Sequence, residues 1–340
     1  MSACALARTA TLAAMAAGAL LFVPPAQAAD RPRGVLVVAY DHELWRVPLP
    51  RARVGRISRP LLEREASPTL APAGNLLAFA RIPIFDAPPR VLLRPLPDGP
   101  ARVIAEGSSP TFSPSGAELA FQTTAGVQAA DLTTGAIRPI TDDPSDRDPA
   151  WSTDDVLAFA RGDRGRNGVM TVAPDGQGLR RAVWSRRRDV GIIRPKWSPD
   201  GRRLVVTLMY ARKDRQRPRG WCGSATRSLR TRGDLELSLA VCDGHAAWSP
   251  DGSAIALQGR DSLRLVWTGG RLLDRFCEVG IRPRGLAWTG PGPVEDAGRR
   301  ATFRLRRHCP PPPPRAAVEQ TRYCFRVRSG DKRILRCVKV

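Results

Sequence analysis

Residues Arg194-Pro-Lys-Trp-Ser-Pro-Asp-Gly-Arg-Arg-Leu-Val-Val206 hold a strand end, a turn and a strand start in one short run. Ser-Pro-Asp-Gly is the composition of a type I turn: Pro pre-sets φ at the second position and Gly closes the fourth. The large Trp197 before the turn ends one strand. Leu204 and Val206 after it begin another, on a single face. The phrase recurs at Ser67–Phe79, Ser109–Phe121, Asp148–Phe159 and His245–Leu257, and in shortened form at Arg284–Gly290. Its anchor residues are Leu70, Phe112, Trp151, Trp197, Trp248 and Trp288, separated by 42, 39, 46, 51 and 40 residues.

Each phrase is followed by a further pair of short apolar runs around a turn. Val91–Glu106 turns at Pro97-Asp98-Gly99 and Val127–Thr141 at Thr133-Thr134-Gly135; Val169–Trp184 turns at Pro174-Asp175-Gly176 and Leu263–Val279 at Thr268-Gly269-Gly270. Four short strands per repeat of about 40 residues predict an all-β propeller of four-stranded antiparallel blades. A helical solenoid of that period needs apolar spacing of 3.6 and less Pro and Gly. The segment Gly34–Ser58 supplies three strands without an anchor phrase, while the Trp288 phrase lacks a following blade. Joining the two gives a composite sixth blade in which N-terminal strands meet a C-terminal strand and close the ring. The anchors are then packing residues between blades, not a ligand-stacking box.

The recurring Pro-x-Trp-Ser-Pro-Asp-Gly phrase resembles the WD40-like repeat of TolB-type six-bladed propellers, over residues 34–292. The resemblance implies the fold and a binding role. TolB itself carries a further N-terminal α/β domain, and peptidases that share the propeller add an α/β-hydrolase domain; the sequence is read as having neither. Some propellers of this type are lyases with a histidine-bound metal, which requires several converging ligands.

Residues 1–28 read as a secretory signal. Arg8 precedes the apolar stretch Ala10–Val23, and Ala26-Gln27-Ala28 is a small-x-small cleavage site. Outside it no apolar run is long enough to span a bilayer. The expected location is therefore outside the cytoplasm, in the periplasm or cell envelope or beyond it. Six cysteines remain after Cys4 leaves with the signal, an even number in an oxidising compartment. With a turn at Gly330-Asp331, Cys324 and Cys337 fall opposite each other as a non-hydrogen-bonded pair. Cys222 and Cys242 flank a second hairpin about Thr231-Arg232-Gly233-Asp234, and elimination leaves Cys277 with Cys309. A zinc site is the competing reading, without a CxxC or nearby His to support it. Residues 299–340, with Pro310–Pro314 and the cysteine hairpin, are read as an appendage to the ring.

The 340 residues carry 54 Lys plus Arg against 32 Asp plus Glu, a formal charge of +22. The excess is nearly all arginine, as well explained by a GC-rich coding sequence as by an anionic partner. No basic-aromatic module accompanies it, so nucleic acid is not the expected partner. Catalytic signals are missing too. The chain has no Gly-x-Ser-x-Gly elbow and no phosphate-cradling glycine loop, and its three histidines, His42, His245 and His308, lie on separate segments.

Two surface features remain. Asp142, Asp143, Asp146 and Asp148 precede the Trp151 anchor in a loop expected at the channel mouth, as a docking point for a basic segment or a divalent-cation site. The alternative is a solvated turn in which Asp caps backbone amides. The insertion Ala211–Asp234 carries Arg212, Lys213, Arg215, Arg217 and Arg219, which suit an acidic protein or an anionic envelope polymer. The expectation is a monomeric, non-catalytic interaction scaffold of the envelope, without a cofactor other than that cation. A polysaccharide-binding protein or degenerate carbohydrate lyase using the central channel is the alternative.

Overall fold

The structure is a computed structural model that describes residues 31–40, 42–50, 53–58, 60, 63–84, 86–163, 166–184, 190–210, 222–228, 237–239, 243–259, 262–268, 272–277, 283–295, 299–304, 322–329 and 332–339. Residues 1–28, read as a secretory signal, residues 211–221 of the Arg-rich insertion, and Pro310–Pro314 lie outside the described residues.

The first three strands are β1 (Gly34–Tyr40), β2 (Glu43–Leu49) and β3 (Arg53–Arg56). Five antiparallel sheets of four strands follow. The first holds β4 (Glu63–Leu70), β5 (Leu76–Pro83), β6 (Arg90–Pro95) and β7 (Arg102–Glu106). The second holds β8 (Ser108–Phe112), β9 (Glu118–Thr123), β10 (Gly126–Asp131) and β11 (Ile137–Pro139). The third holds β12 (Asp146–Trp151), β13 (Leu157–Asp163), β14 (Arg166–Val172) and β15 (Arg180–Trp184). The fourth holds β16 (Val190–Trp197), β17 (Arg203–Tyr210), β18 (Cys222–Ser228) and β19 (Leu237–Leu239). The fifth holds β20 (Asp243–Trp248), β21 (Ala254–Gly259), β22 (Ser262–Trp267) and β23 (Leu272–Cys277). Finally come β24 (Pro283–Thr289), β25 (Arg299–Arg304) and the hairpin β26 (Arg322–Ser329) with β27 (Lys332–Lys339). Among the described residues no helix is long and apolar enough to cross a membrane.

The leading strands of successive sheets, β4, β8, β12, β16, β20 and β24, each lie beside the next, and β24 lies beside β4. They form the inner ring of a β-propeller. Its closure is antiparallel pairing of β24 with β1, Trp288 opposite Leu36, within a sheet ordered β24-β1-β2-β3-β25. The sequence anticipated this junction of N-terminal and C-terminal strands. It did not anticipate β25, which pairs with β3 and places Arg299–Arg304, read as the start of the appendage, on the outer edge of the closing sheet. The physical reason is that β3 is otherwise an unpaired edge. In the C-terminal hairpin the register sets Cys324 opposite Cys337, as the two-residue turn requires.

Side-chain alternation builds the core between sheets. On β5, Leu77 and Phe79 face the closing sheet and pack with Val35, Val37 and Leu44. Ala78, between them, faces the next sheet and packs with Phe112, Leu119 and Phe121. The Trp151 and Trp197 anchors occupy the corresponding gaps further round the ring. Indole donors add links: Trp197 Nε1 donates to the Ala150 carbonyl at 3.1 Å and Trp248 Nε1 to the Lys196 carbonyl at 3.0 Å. Each joins an anchor to the inner strand of the preceding sheet.

The turn explains its own composition. Gly201 N–H donates to the Ser198 carbonyl at 2.9 Å, and Gly201 adopts φ of 65°. Ser198 Oγ accepts from Arg203 N–H at 2.9 Å while donating to Asp200 Oδ1 at 2.5 Å. The Ser249 turn repeats this geometry, with Ala254 N–H on Ser249 Oγ at 2.9 Å.

Candidate functional site: the channel ring

Four of the inner strands are broken three residues before the anchor. Ser67, Ser109, Asp148 and Arg194 have φ of 50°, 52°, 52° and 52°, a left-handed conformation rare outside glycine. Pairing shifts register there, between Ala66 and Thr69, Arg147 and Ala150, and Ile193 and Lys196. These are β-bulges, which bend a strand and re-aim a side chain. The residues three before the anchor, Ser67, Ser109, Asp148, Arg194, His245 and Gly285, all line one cavity that is partly open to solvent and encloses about 30 Å³ of free space. Lys196, Pro68, Pro149, Ala246 and Leu286 complete its wall. The repeat thus presents to the channel a position whose residue differs round most of the ring.

The ring is electrostatically lopsided. Ser67, Ser109 and Gly285 occupy one arc, and Arg194, Lys196 and His245, from adjacent strands β16 and β20, occupy the other. Asp148 is its single carboxylate, held by a hydrogen bond from Ser109 Oγ at 3.2 Å. Arg194 Nη1 donates to the Gly244 carbonyl at 2.7 Å, which fixes the guanidinium across the β16–β20 junction. Burial lowers the Lys196 ammonium below its usual range, against the opposing pull of Asp148, and lowers Arg194 likewise. His245 is held well below 6.5, first by burial and then by Arg194, Lys196 and Arg284. Its imidazole is therefore neutral at pH 7.

Of the acidic run Asp142, Asp143, Asp146 and Asp148, the middle two meet at Arg161, whose Nε lies 3.3 Å from Asp143 Oδ2 and 2.6 Å from Asp146 Oδ1. Asp142 is exposed. Asp143 accepts from Ser145 N–H at 2.9 Å and Ser145 Oγ at 2.7 Å, which lower its pKa, as in a turn that caps its own amides. Asp146 is fully buried and takes both its hydrogen bonds from Arg161, Nε at 2.6 Å and Nη2 at 2.7 Å. Only Asp148 reaches the channel. The strand period separates them: Asp146 opens β12 and pairs opposite Arg161, while the bulge sends Asp148 inward. Among the described residues no group of three or more His, Cys, Asp or Glu is placed to hold a metal ion.

Arg212, Lys213, Arg215, Arg217 and Arg219 lie outside the described residues, as does His308, and so do the side chains of Cys222, Cys242, Cys277 and Cys309. His42 sits in a turn, its carbonyl accepting from Glu65 N–H at 3.3 Å. Among the anchors, Phe112, Trp151 and Trp248 are buried, and Leu70, Trp197 and Trp288 pack partly buried against the same cores. The sequence reading missed Arg194, Lys196 and His245 as channel residues. The signal was available, since each repeat varies most at the position three before its invariantly large anchor.

No family model matches the sequence, and no curated protein matches it. Solved structures do. TolB from Acinetobacter baumannii is similar with a TM-score of 0.63 at 16% identity, covering 76% of this chain and 67% of that one. A structure of a nidogen/laminin complex is similar with a TM-score of 0.60 at 11% identity, covering 75% of this chain and 97% of that one. A putative TolB from Agrobacterium tumefaciens matches at 16% identity with a TM-score of 0.48, covering 64% and 87%. The chain thus has a TolB-like β-propeller fold.

Proposed function

We propose that the protein is an exported, non-catalytic propeller that serves as a protein-interaction scaffold at the cell envelope, with the channel ring as a contact surface. The observation that carries this reading is the ring itself: a repeating backbone aims Ser67, Ser109, Asp148, Arg194 and His245 into one open cavity. Such a rigid frame with variable side chains is a recognition device, since little ordering entropy is lost when a partner engages it. The likeness to a propeller solved in a nidogen/laminin complex supports a protein partner. The signal-like residues 1–28 support export, and the paired cysteines, Cys324 with Cys337 opposite in register, support disulfides in an oxidising compartment. The Arg-rich insertion would steer an acidic partner toward the ring.

A photo-crosslinking residue placed at Ser67 or Ser109 in the exported protein tests this, with the exposed outer-strand position Val103 as control. A discrete protein adduct from the ring positions, absent from the control, is the expected result. Metal-dependent cleavage of a polysaccharide by the purified protein would overturn the reading in favour of a lyase.

A further inference from the structure

The arc formed by β16 and β20 has more positive charge than its neighbours answer. Lys196 has one oppositely charged group acting on it, Asp148, and Arg194 has the same one. Arg147 and Arg284 add to the positive field. No ion pair within 4 Å forms between Asp148 and either base, and the Lys196 ammonium donates no hydrogen bond among the described residues; Asp148 instead accepts from Ser109 Oγ. The Lys196 backbone is nevertheless fixed in place. Its carbonyl receives the Trp248 indole, and its strand is bent by the bulge between Ile193 and Lys196. A half-buried ammonium held without a partner, beside a guanidinium anchored on a carbonyl, costs stability unless something occupies the space. Pro68, Pro149, Ala246 and Leu286 add apolar wall to the same cavity, which lowers the local dielectric and strengthens a charge-assisted bond made there.

We propose that the channel is a carboxylate-binding site, in which Lys196 and Arg194 hold a ligand carboxylate and His245 contributes a hydrogen bond. Arg offers the planar two-donor geometry that matches a carboxylate, and Lys adds a point charge beside it. Asp148 opposes the ligand and sets the selectivity: it favours a singly charged group, or one carrying a nearby donor or cation to meet it. The inference rests on the channel as a binding surface and not on the class of partner. The carboxylate can arrive at the end of a peptide or on a uronic acid.

The test is titration of the purified exported protein with acetate, an N-acetylated acidic tripeptide and galacturonate, at ionic strength balanced with chloride, read by calorimetry and thermal midpoint. Saturable binding of a carboxylate but not of chloride is expected, weakened at least about tenfold by Lys196→Met, since a hydrogen bond to a charged group contributes about 1.5–3 kcal/mol. Arg194→Gln is expected to weaken it as well. Asp148→Asn is expected to tighten it, a change of sign that a merely structural role for these residues does not produce. Stronger binding of the tripeptide identifies a peptide source and stronger binding of galacturonate a sugar source, and either supports the site. The proposal is overturned if no carboxylate saturates, if chloride competes equally, or if Lys196→Met binds like the parent while keeping its β-sheet circular dichroism. A failed crosslink with intact carboxylate binding overturns the protein-partner reading alone.

Discussion

Charge is buried in two regions of the ring in opposite ways. In the β4–β5 and β12–β13 pairs, a carboxylate five residues before the anchor faces an arginine on the adjacent strand. Glu65 pairs with Arg81 at 2.8 Å and Asp146 with Arg161 at 2.6 Å, and each carboxylate is fully buried. Both arginines also lie over a phenylalanine, Phe79 at 5.6 Å and Phe159 at 5.5 Å. In the β16–β17 pair the equivalent carboxylate position is the apolar Ile192, opposite Leu208, and the charges sit two and four residues on, at Arg194 and Lys196. The first arrangement closes its electrostatics inside the protein. The second leaves them for a ligand. A buried charge is therefore not in itself a sign of function; a buried charge whose partner is missing from the fold is.

The widest gap between the two regions should appear in stability. Asp146→Ala strips Arg161 of both hydrogen bonds from that carboxylate and leaves it the longer approach to Asp143 at 3.3 Å, and loss of about 3 kcal/mol is expected. The double substitution Asp146→Leu with Arg161→Leu should recover most of that loss in urea unfolding, because an apolar pair of similar volume carries no desolvation cost. Lys196→Met, by contrast, should leave unfolding unchanged or shift it upward. A Lys196→Met variant as damaged as Asp146→Ala would show that Lys196 is structural after all, and the contrast would fail.

A smaller break is expected at the ring position that has no side chain. Gly285 has φ of 152°, and a Cβ there would lie 2.5 Å from Pro68 Cδ and 2.5 Å from Ser67 N, where β24 meets β4. Both neighbours are held by the chain itself, so neither yields cheaply. Gly285→Ala should cost about 2 kcal/mol through strain at a special backbone position. The left-handed residues Ser67, Ser109, Asp148 and Arg194 already carry a Cβ, so alanine at Ser109 should be close to neutral in the same assay. Equal losses at Gly285 and Ser109 would mean that the bulge, not the close approach of strands, sets the penalty.

Much of this architecture was legible because it repeats. A turn such as Ser198–Gly201 has a local cause, and its recurrence before alternating apolar residues fixes strand, turn and facing from sequence alone. The pairing of β24 with β1 was legible by the same means, since an anchor phrase without a blade and strands without an anchor can only complete each other. The channel site was not. Its residues belong to adjacent inner strands 39 to 51 positions apart, and only the bulges bring them to one cavity. A run of like residues misleads for the converse reason: Asp143, Asp146 and Asp148 are close in sequence, yet the first two meet at Arg161 while the bulge sends Asp148 to the channel.

The finest contrast between the regions is the sign of their pH dependence. Glu65 is raised above its ordinary 4.5, chiefly by burial and in spite of hydrogen bonds from Ser58 and Arg81. Its contribution to stability is complete below 4.5 and is lost as pH rises through the folded value. His245 is depressed below 6.5 by burial and by Arg194 and Lys196 on β16 and Arg284 on β24, so its contribution is complete above 6.5 and is lost as pH falls. Acid therefore favours the folded state at the first site and disfavours it at the second. As pH falls through 6.5, His245 should cost stability, because the unfolded imidazole takes up a proton that the folded one resists. His245→Gln cannot take a proton, and should flatten the decline in thermal midpoint over this range. Glu65→Gln should remove a contribution of the opposite sign, one that acid favours. An unchanged slope in His245→Gln would place the titrating group elsewhere, and with it the claim that the β16–β20 arc repels a further positive charge.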